Sequence, residues 1–154
     1  MKVEHTETFR CPSRVLWSWI DDVEKSKQWL RGLEEVVPLD PGPNRPGWRA
    51  KLRIREGGRV QEYEQEIVDY EPGRRFHMTM VGGALKGCVI DVDYVLTDLG
   101  DGTTRLDYAC GAKTNGVMRI FGLLFAIFGR LQLRSFFKKL KALAEGEART
   151  GFAR

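Results

Sequence analysis

The chain has 154 residues, 42% of them apolar and 30% charged, with a formal net charge of +4 at pH 7. Those proportions suit one soluble globular domain, here 1–154, with enough apolar material for a core. Much of the positive charge lies between Arg119 and Lys141. It belongs to one helix face, and no strand interleaves aromatic with basic residues, so no nucleic-acid partner is expected.

Three cysteines, Cys11, Cys88 and Cys110, are too few and too odd a set for a disulfide framework and argue for a reducing, cytoplasmic setting. The opening MKVEHTETF has no apolar h-region, so no signal peptide is expected. Ile120 to Gly129 is the one membrane candidate. It is about half the length needed to span, and Arg119 and Arg130 bracket it.

In chain order, Val3 to Arg10 reads as a strand, broken by Cys11-Pro12-Ser13. Pro12 and Ser13 signal a helix start, and Arg14 to Asp21 follows as a short helix crowded with Val15, Trp17, Trp19 and Ile20. A second short helix, Val23 to Leu30, carries Trp29. Leu33 to Leu39 is a strand, then a Pro/Gly-rich loop runs to Gly47. Trp48 to Arg55 alternates, with Trp48, Ala50, Leu52 and Ile54 on one face and four basic residues on the other, as a half-buried antiparallel strand should. Gly57-Gly58 makes a tight hairpin to Arg59–Tyr70. There Glu62, Glu64 and Glu66 can pair with the basic row, a solvated ladder rather than a catalytic cluster.

Arg75 to Val81 places Phe76, Met78 and Met80 on one face and His77 on the other. Lys86 to Leu99 aligns Cys88, Ile90, Val92, Tyr94 and Leu96, with Asp91 and Asp93 opposite. Thr103 to Lys113 aligns Leu106, Tyr108, Cys110 and Ala112. A long proline-free stretch, Gly116 to Glu147, reads as one helix or two joined by a kink. All sheet connections are short, which predicts an antiparallel sheet with one wet face and an α+β fold.

This order and several local motifs resemble the START-like superfamily, in particular its polyketide cyclase/dehydrase and lipid-transport branch. The motifs are Cys11-Pro12-Ser13-Arg14-Val15-Leu16-Trp17, Asp21-Asp22-Val23-Glu24 with Trp29, Asp69-Tyr70-Glu71-Pro72-Gly73-Arg74-Arg75-Phe76, and Leu140-Lys141-Ala142-Leu143-Ala144-Glu145. The resemblance implies a helix-grip fold: a curved seven-stranded antiparallel sheet wrapped around the long C-terminal helix, two short helices after the first strand, and a cavity between sheet and helix. It implies binding of lipids, polyketides, quinones or aromatic compounds, with cyclisation or dehydration in some members. Fold alone does not choose among these.

Few constellations carry chemistry. His5 and His77 are the only histidines, no metal-ligand spacing occurs, and no metal or cofactor is expected. Cys88 and Cys110 read as buried apolar residues. No Ser-His-Asp set can be assembled, the glycine pairs are hairpin turns rather than phosphate loops, and no catalytic residue is assigned. The ligand-binding candidates are Trp48, Tyr63, Met78, Met80, Tyr94, Tyr108 and Phe125: aromatic and thioether area with a few hydroxyls for orientation. An acid role for Tyr94 or Tyr108 on a substrate carbonyl would lack an accompanying base.

On the long helix, Leu133, Phe136, Phe137, Leu140, Leu143 and Ala144 form one stripe. Continued toward the N-terminus, that stripe meets Gly122, Ala126 and Gly129, while Ile120, Phe121, Leu124, Ile127, Phe128 and Leu131 fall opposite. A straight helix leaves space beside the sheet and an outward apolar patch suited to a homodimer or a peripheral membrane contact. A kink near Gly129 turns the bulky residues into the cavity. The expectation is a carrier or sensor of a small hydrophobic molecule. A cyclase/dehydratase-type enzyme and an interaction module are the alternatives.

Overall fold

The computed structural model describes residues 2–83, 87–113 and 119–152, and within 119–130 and at 152 the backbone alone. The order is β1 (Lys2–Phe9), α1 (Ser13–Asp21), α2 (Val23–Trp29), β2 (Leu33–Pro38), β3 (Arg49–Glu56), β4 (Arg59–Glu71), β5 (Arg75–Gly82), β6 (Val89–Asp98), β7 (Thr104–Lys113) and α3 (Arg119–Phe152). Every expected element within the described residues is present. The helix runs five residues past the expected end at Glu147. Gly146 and Gly151 do not stop it, because a helical glycine costs only about 1 kcal/mol against alanine.

One residue joins the two short helices. The Asp22 backbone N–H ends α1 by donating to the Ser18 carbonyl, and its carboxylate caps α2 by accepting from Lys25 N–H at 3.1 Å. The Pro12 carbonyl accepts from the N–H groups of Val15 and Leu16 and so starts α1 without a side-chain cap. Leu16, Trp17, Trp19 and Ile20 are buried, which gives a helix of only nine residues the packing it needs.

The sheet has the order β1-β7-β6-β5-β4-β3-β2, and every pair is antiparallel. Gly57 and Gly58, with φ of +56° and +80°, close the β3–β4 hairpin in two residues, the backbone a type I′ turn requires. The basic row of β3 registers against the glutamates of β4, Arg49 with Glu66, Lys51 with Glu64 and Arg53 with Glu62. The ladder also reaches the other neighbour: Arg53 contacts Glu35 at 3.5 Å, and Arg55 contacts Glu34 at 2.6 Å.

Strand alternation sends one set of side chains to the concave face. One row across it is Ile67, Met78, Val92 and Cys110, reaching Val3 of β1. Below it, Phe76, Tyr94 and Tyr108 lead to His5. Above it, Ala50, Gln65, Met80, Ile90 and Ala112 align. The lower part is packed. Phe9, Leu16, Trp29, Phe76, Tyr94, Leu96, Leu106 and Tyr108 are buried there with Phe137, Leu140, Ala144 and Ala148 of α3.

The helix stripe therefore centres on Phe137, Leu140, Ala144 and Ala148, while Leu133, Phe136 and Leu143 are only partly buried at its flanks. Phe136, grouped with the stripe's core from the sequence, is at its margin. A polar seam ties the same half of α3 to β1. His5 stacks on Phe137 at 4.7 Å, the Lys141 ammonium donates to the Thr8 carbonyl at 3.2 Å, and the Arg10 N–H donates to the Glu145 carboxylate.

Candidate ligand-binding site

Burial along β5, β6 and β7 changes partway up the concave face. Phe76, Tyr94, Leu96, Leu106 and Tyr108 are buried. Met78, Met80, Ile90 and Cys110 face the same way, yet each is only partly buried, although Val92 between Met78 and Cys110 is closed at 4%. Inward-pointing apolar side chains in a filled core would be as closed as the row below them. The concave face is thus divided into a packed half under α1, α2 and the second half of α3, and an open half running along β5 to β7.

The open half is apolar and soft. Two thioethers and a thiol sit beside Ile90, a surface that adapts to irregular ligands. Burial pushes the Cys110 thiol upward, so it stays protonated. The charged groups are on the other side of the sheet. His77 faces outward as expected and lies 2.9 Å from the Asp91 carboxylate, and Arg75 is bound by Asp93 and Asp69.

The seven candidate residues do not all fall together. Met78 and Met80 lie in the open half. Trp48 and Tyr63 are buried on the β3–β4 side. The Tyr63 hydroxyl donates to both oxygens of the Glu56 carboxylate at 2.9 and 3.0 Å, and Gly83 packs against its ring with no room for an added Cβ. Tyr94 and Tyr108 are in the packed half, edge to face at 5.1 Å, with Trp29 and Phe137 closing around them. Burial, before any other cause, raises the pKa of both phenols, so they hold their protons. Phe125 and the patch of Ile120, Phe121, Leu124, Ile127 and Phe128 lie outside the described side chains.

Two features went unread in the sequence. The first is His5. It faces inward and registers directly opposite Tyr108, so an imidazole does accompany the tyrosines. Its Nε2 lies 3.0 Å from the Glu7 carboxylate and its ring lies flat on Phe137, so it seals the sheet edge against α3. Phe9 supplied the signal: if it points inward, so do His5 and Glu7. The second is a cleft of about 440 Å³ between α1 and the end of α3, lined by Pro12, Arg14, Val15, Ser18, Glu147, Ala148 and Gly151. Lys25 is committed there, its ammonium donating to Glu147 at 2.8 Å and to Ser18 at 2.9 Å.

Cys11 is fully buried, and desolvation with help from Glu145 and Glu147 pushes its pKa up to about 11. A thiol so placed is inert at neutral pH. Among the described residues no three His, Cys, Asp or Glu side chains are grouped to hold a metal ion, and no helix is long and apolar enough to cross a membrane.

A curved seven-stranded antiparallel sheet holding a long C-terminal helix, with an apolar concave face, defines the START-like (SRPBCC) class of helix-grip proteins. The chain belongs to the family described as polyketide cyclase / dehydrase and lipid transport, whose model matches residues 1–145. Among solved structures it is similar to the Zhui aromatase/cyclase from Streptomyces sp. R1128, with TM-score 0.73 and 18% identity over 94% of this chain and 93% of that one. It is also similar to protein CV1439 from Chromobacterium violaceum, with TM-score 0.68 and 16% identity over 94% and 96%. A third is Ara h 8.0201, with TM-score 0.69 and 14% identity over 94% and 97%. At these identities the likeness establishes the fold. No curated protein matches the chain.

Proposed function

We propose that the protein is a carrier or sensor of a small hydrophobic molecule, held between the open half of the concave face and the long helix. The observation that carries this reading is the partial burial of Met78, Met80, Ile90 and Cys110 on a face whose lower half is closed. A lipid, a polyketide or an aromatic compound each suits a wall of thioether and aliphatic surface without a fixed charge. The family's lipid-transport members support the same reading.

The test is a titration with the neutral fluorescent probe N-phenyl-1-naphthylamine. Met80→Trp fills the open half and should weaken probe binding about tenfold or more, with little change in melting temperature. If Met80 were in a filled core, the larger ring would instead cost about 1–3 kcal/mol of stability. Equal binding by variant and parent would sink the proposal.

A cyclase or dehydratase is the second reading, favoured by the family's polyketide cyclase / dehydrase members. Incubation with a linear poly-β-keto thioester separates the two: unchanged substrate in the complex supports the carrier.

We place the protein in the cytoplasm on its three free cysteines. The apolar patch expected from the sequence at Ile120, Phe121, Leu124, Ile127 and Phe128 is proposed as a peripheral membrane or homodimer contact. Leu131, which follows it, is 60% exposed. Co-flotation with phosphatidylcholine–phosphatidylglycerol vesicles, lost in Leu131→Glu, is the expected result for a membrane contact. No flotation with a sedimentation mass of two chains would assign the patch to a dimer.

A further inference from the structure

One polar side chain on the concave face is enclosed with no partner among the described residues, and a second polar side chain lies near it. The Trp48 indole N–H has no acceptor, and the residue is 7% exposed. Gln65, also 7% exposed, offers a carboxamide on the same face. Buried polar atoms are nearly always paired, so the exception at Trp48 points to something that completes it.

The strand register brings the two together. The Trp48 carbonyl accepts from Ile67 N–H at 2.9 Å, and Ala50, the next inward residue of β3, registers against Gln65. Trp48 and Gln65 are therefore diagonal neighbours on one face, about 7–8 Å apart at their backbones and within joint reach of one small group. Gln65 also registers against Met80, which lies in the open half. The other indole without an acceptor, that of Trp19, is in α1, with the Lys25 ammonium 5.0 Å from its ring.

The chemistry of the pair is specific. An indole N–H only donates, and a carboxamide can add a second donor or an acceptor. Neither is charged. The arginine–glutamate ladder of β3 and β4 is on the opposite face, and the one phenol beside them, Tyr63, is committed to Glu56. A carboxylate or phosphate would enter this site without a cation to meet it.

We propose that Trp48 and Gln65 bind a neutral carbonyl-type oxygen, of a ketone, quinone or ester, on an otherwise apolar ligand, while Met78, Met80 and Ile90 take its apolar body. This rests on the carrier reading and deepens it: the ligand is a carbonyl compound rather than a plain hydrocarbon or a charged lipid headgroup.

The test uses 9-fluorenone and fluorene, which share one tricyclic frame and differ by a carbonyl in place of a methylene. Calorimetric titration should show the parent protein binding 9-fluorenone about tenfold tighter than fluorene. Gln65→Leu and Trp48→Phe should each remove most of that preference while fluorene affinity changes less than about threefold. Should Trp48→Phe fail to fold, Gln65→Leu carries the test by itself. Equal binding of the two compounds by the parent, or a preference that survives Gln65→Leu, overturns the proposal and leaves the carrier reading standing. Binding of neither compound overturns both.

Discussion

Replacing Phe137 by alanine should cost about 3–5 kcal/mol, read as a drop in the urea midpoint at unchanged slope. Phe137 is 1% exposed and is the point where four elements meet. His5 of β1 stacks on it at 4.7 Å, Tyr108 of β7 meets it edge to face at 5.1 Å, and Trp29 at the end of α2 lies 6.3 Å away. A cavity there cannot collapse easily, because its walls belong to strands fixed in register and to a helix anchored on both sides. The adjacent Phe136 is the control. It is only partly buried, so Phe136→Ala should cost under about 2 kcal/mol. Equal losses from the two would mean that the helix is rotated about its axis from the orientation described.

The second large effect is at Gly82. Its φ is +122°, outside the left-handed region other residues visit. A Cβ there would lie 2.5 Å from the Glu62 carbonyl oxygen and 3.3 Å from the Tyr63 Cα. Both are backbone atoms and cannot step aside. Gly83 N–H donates to that same carbonyl at 2.9 Å, so moving the chain apart breaks the bond that closes the turn. Strain of about 1–3 kcal/mol plus about 1 kcal/mol for the hydrogen bond gives an expected loss of about 2–4 kcal/mol for Gly82→Ala. Gly87→Ala separates the two causes. Its φ is +83° with nothing within 4 Å, so only the left-handed cost of about 1–2 kcal/mol applies. Similar thermal denaturation of the two variants would show that the close approach at Gly82 does not matter.

Most of the fold was legible because strands repeat every two residues and few of these depart from it. Arg49 to Arg55 and Cys88 to Leu96 alternate without a break, so faces, neighbours and the glutamate–arginine pairing followed from parity. The helix was harder. Phe136 and Phe137 are 100° apart, and a stripe about that wide admits either as its centre. Only the aromatic walls supplied by Trp29, Tyr108 and His5 choose Phe137, and those contacts are between elements far apart in sequence. Tyr94 and Tyr108 looked like cavity groups because their type suits both a pocket and a core. What separates them from Met78 and Met80 is their distance along the strand from α1 and α2, which parity does not encode. The unpaired indole of Trp48 is illegible in principle, since being unpaired is a property of everything around it.

The division of the concave face has an evolutionary reading. Residues that hold the sheet to the helix, such as Phe9, Leu106, Phe137 and Leu140, are not those that would meet a ligand. Substitutions at the partly buried Met78, Met80, Ile90 and Cys110 should cost less in stability than those in the closed half, even when they change the shape offered to the proposed guest. Ligand preference in such a protein can drift by single steps without an intermediate that fails to fold. The same separation makes these four positions the natural set to randomise in a search for new specificities, with the packed half left untouched.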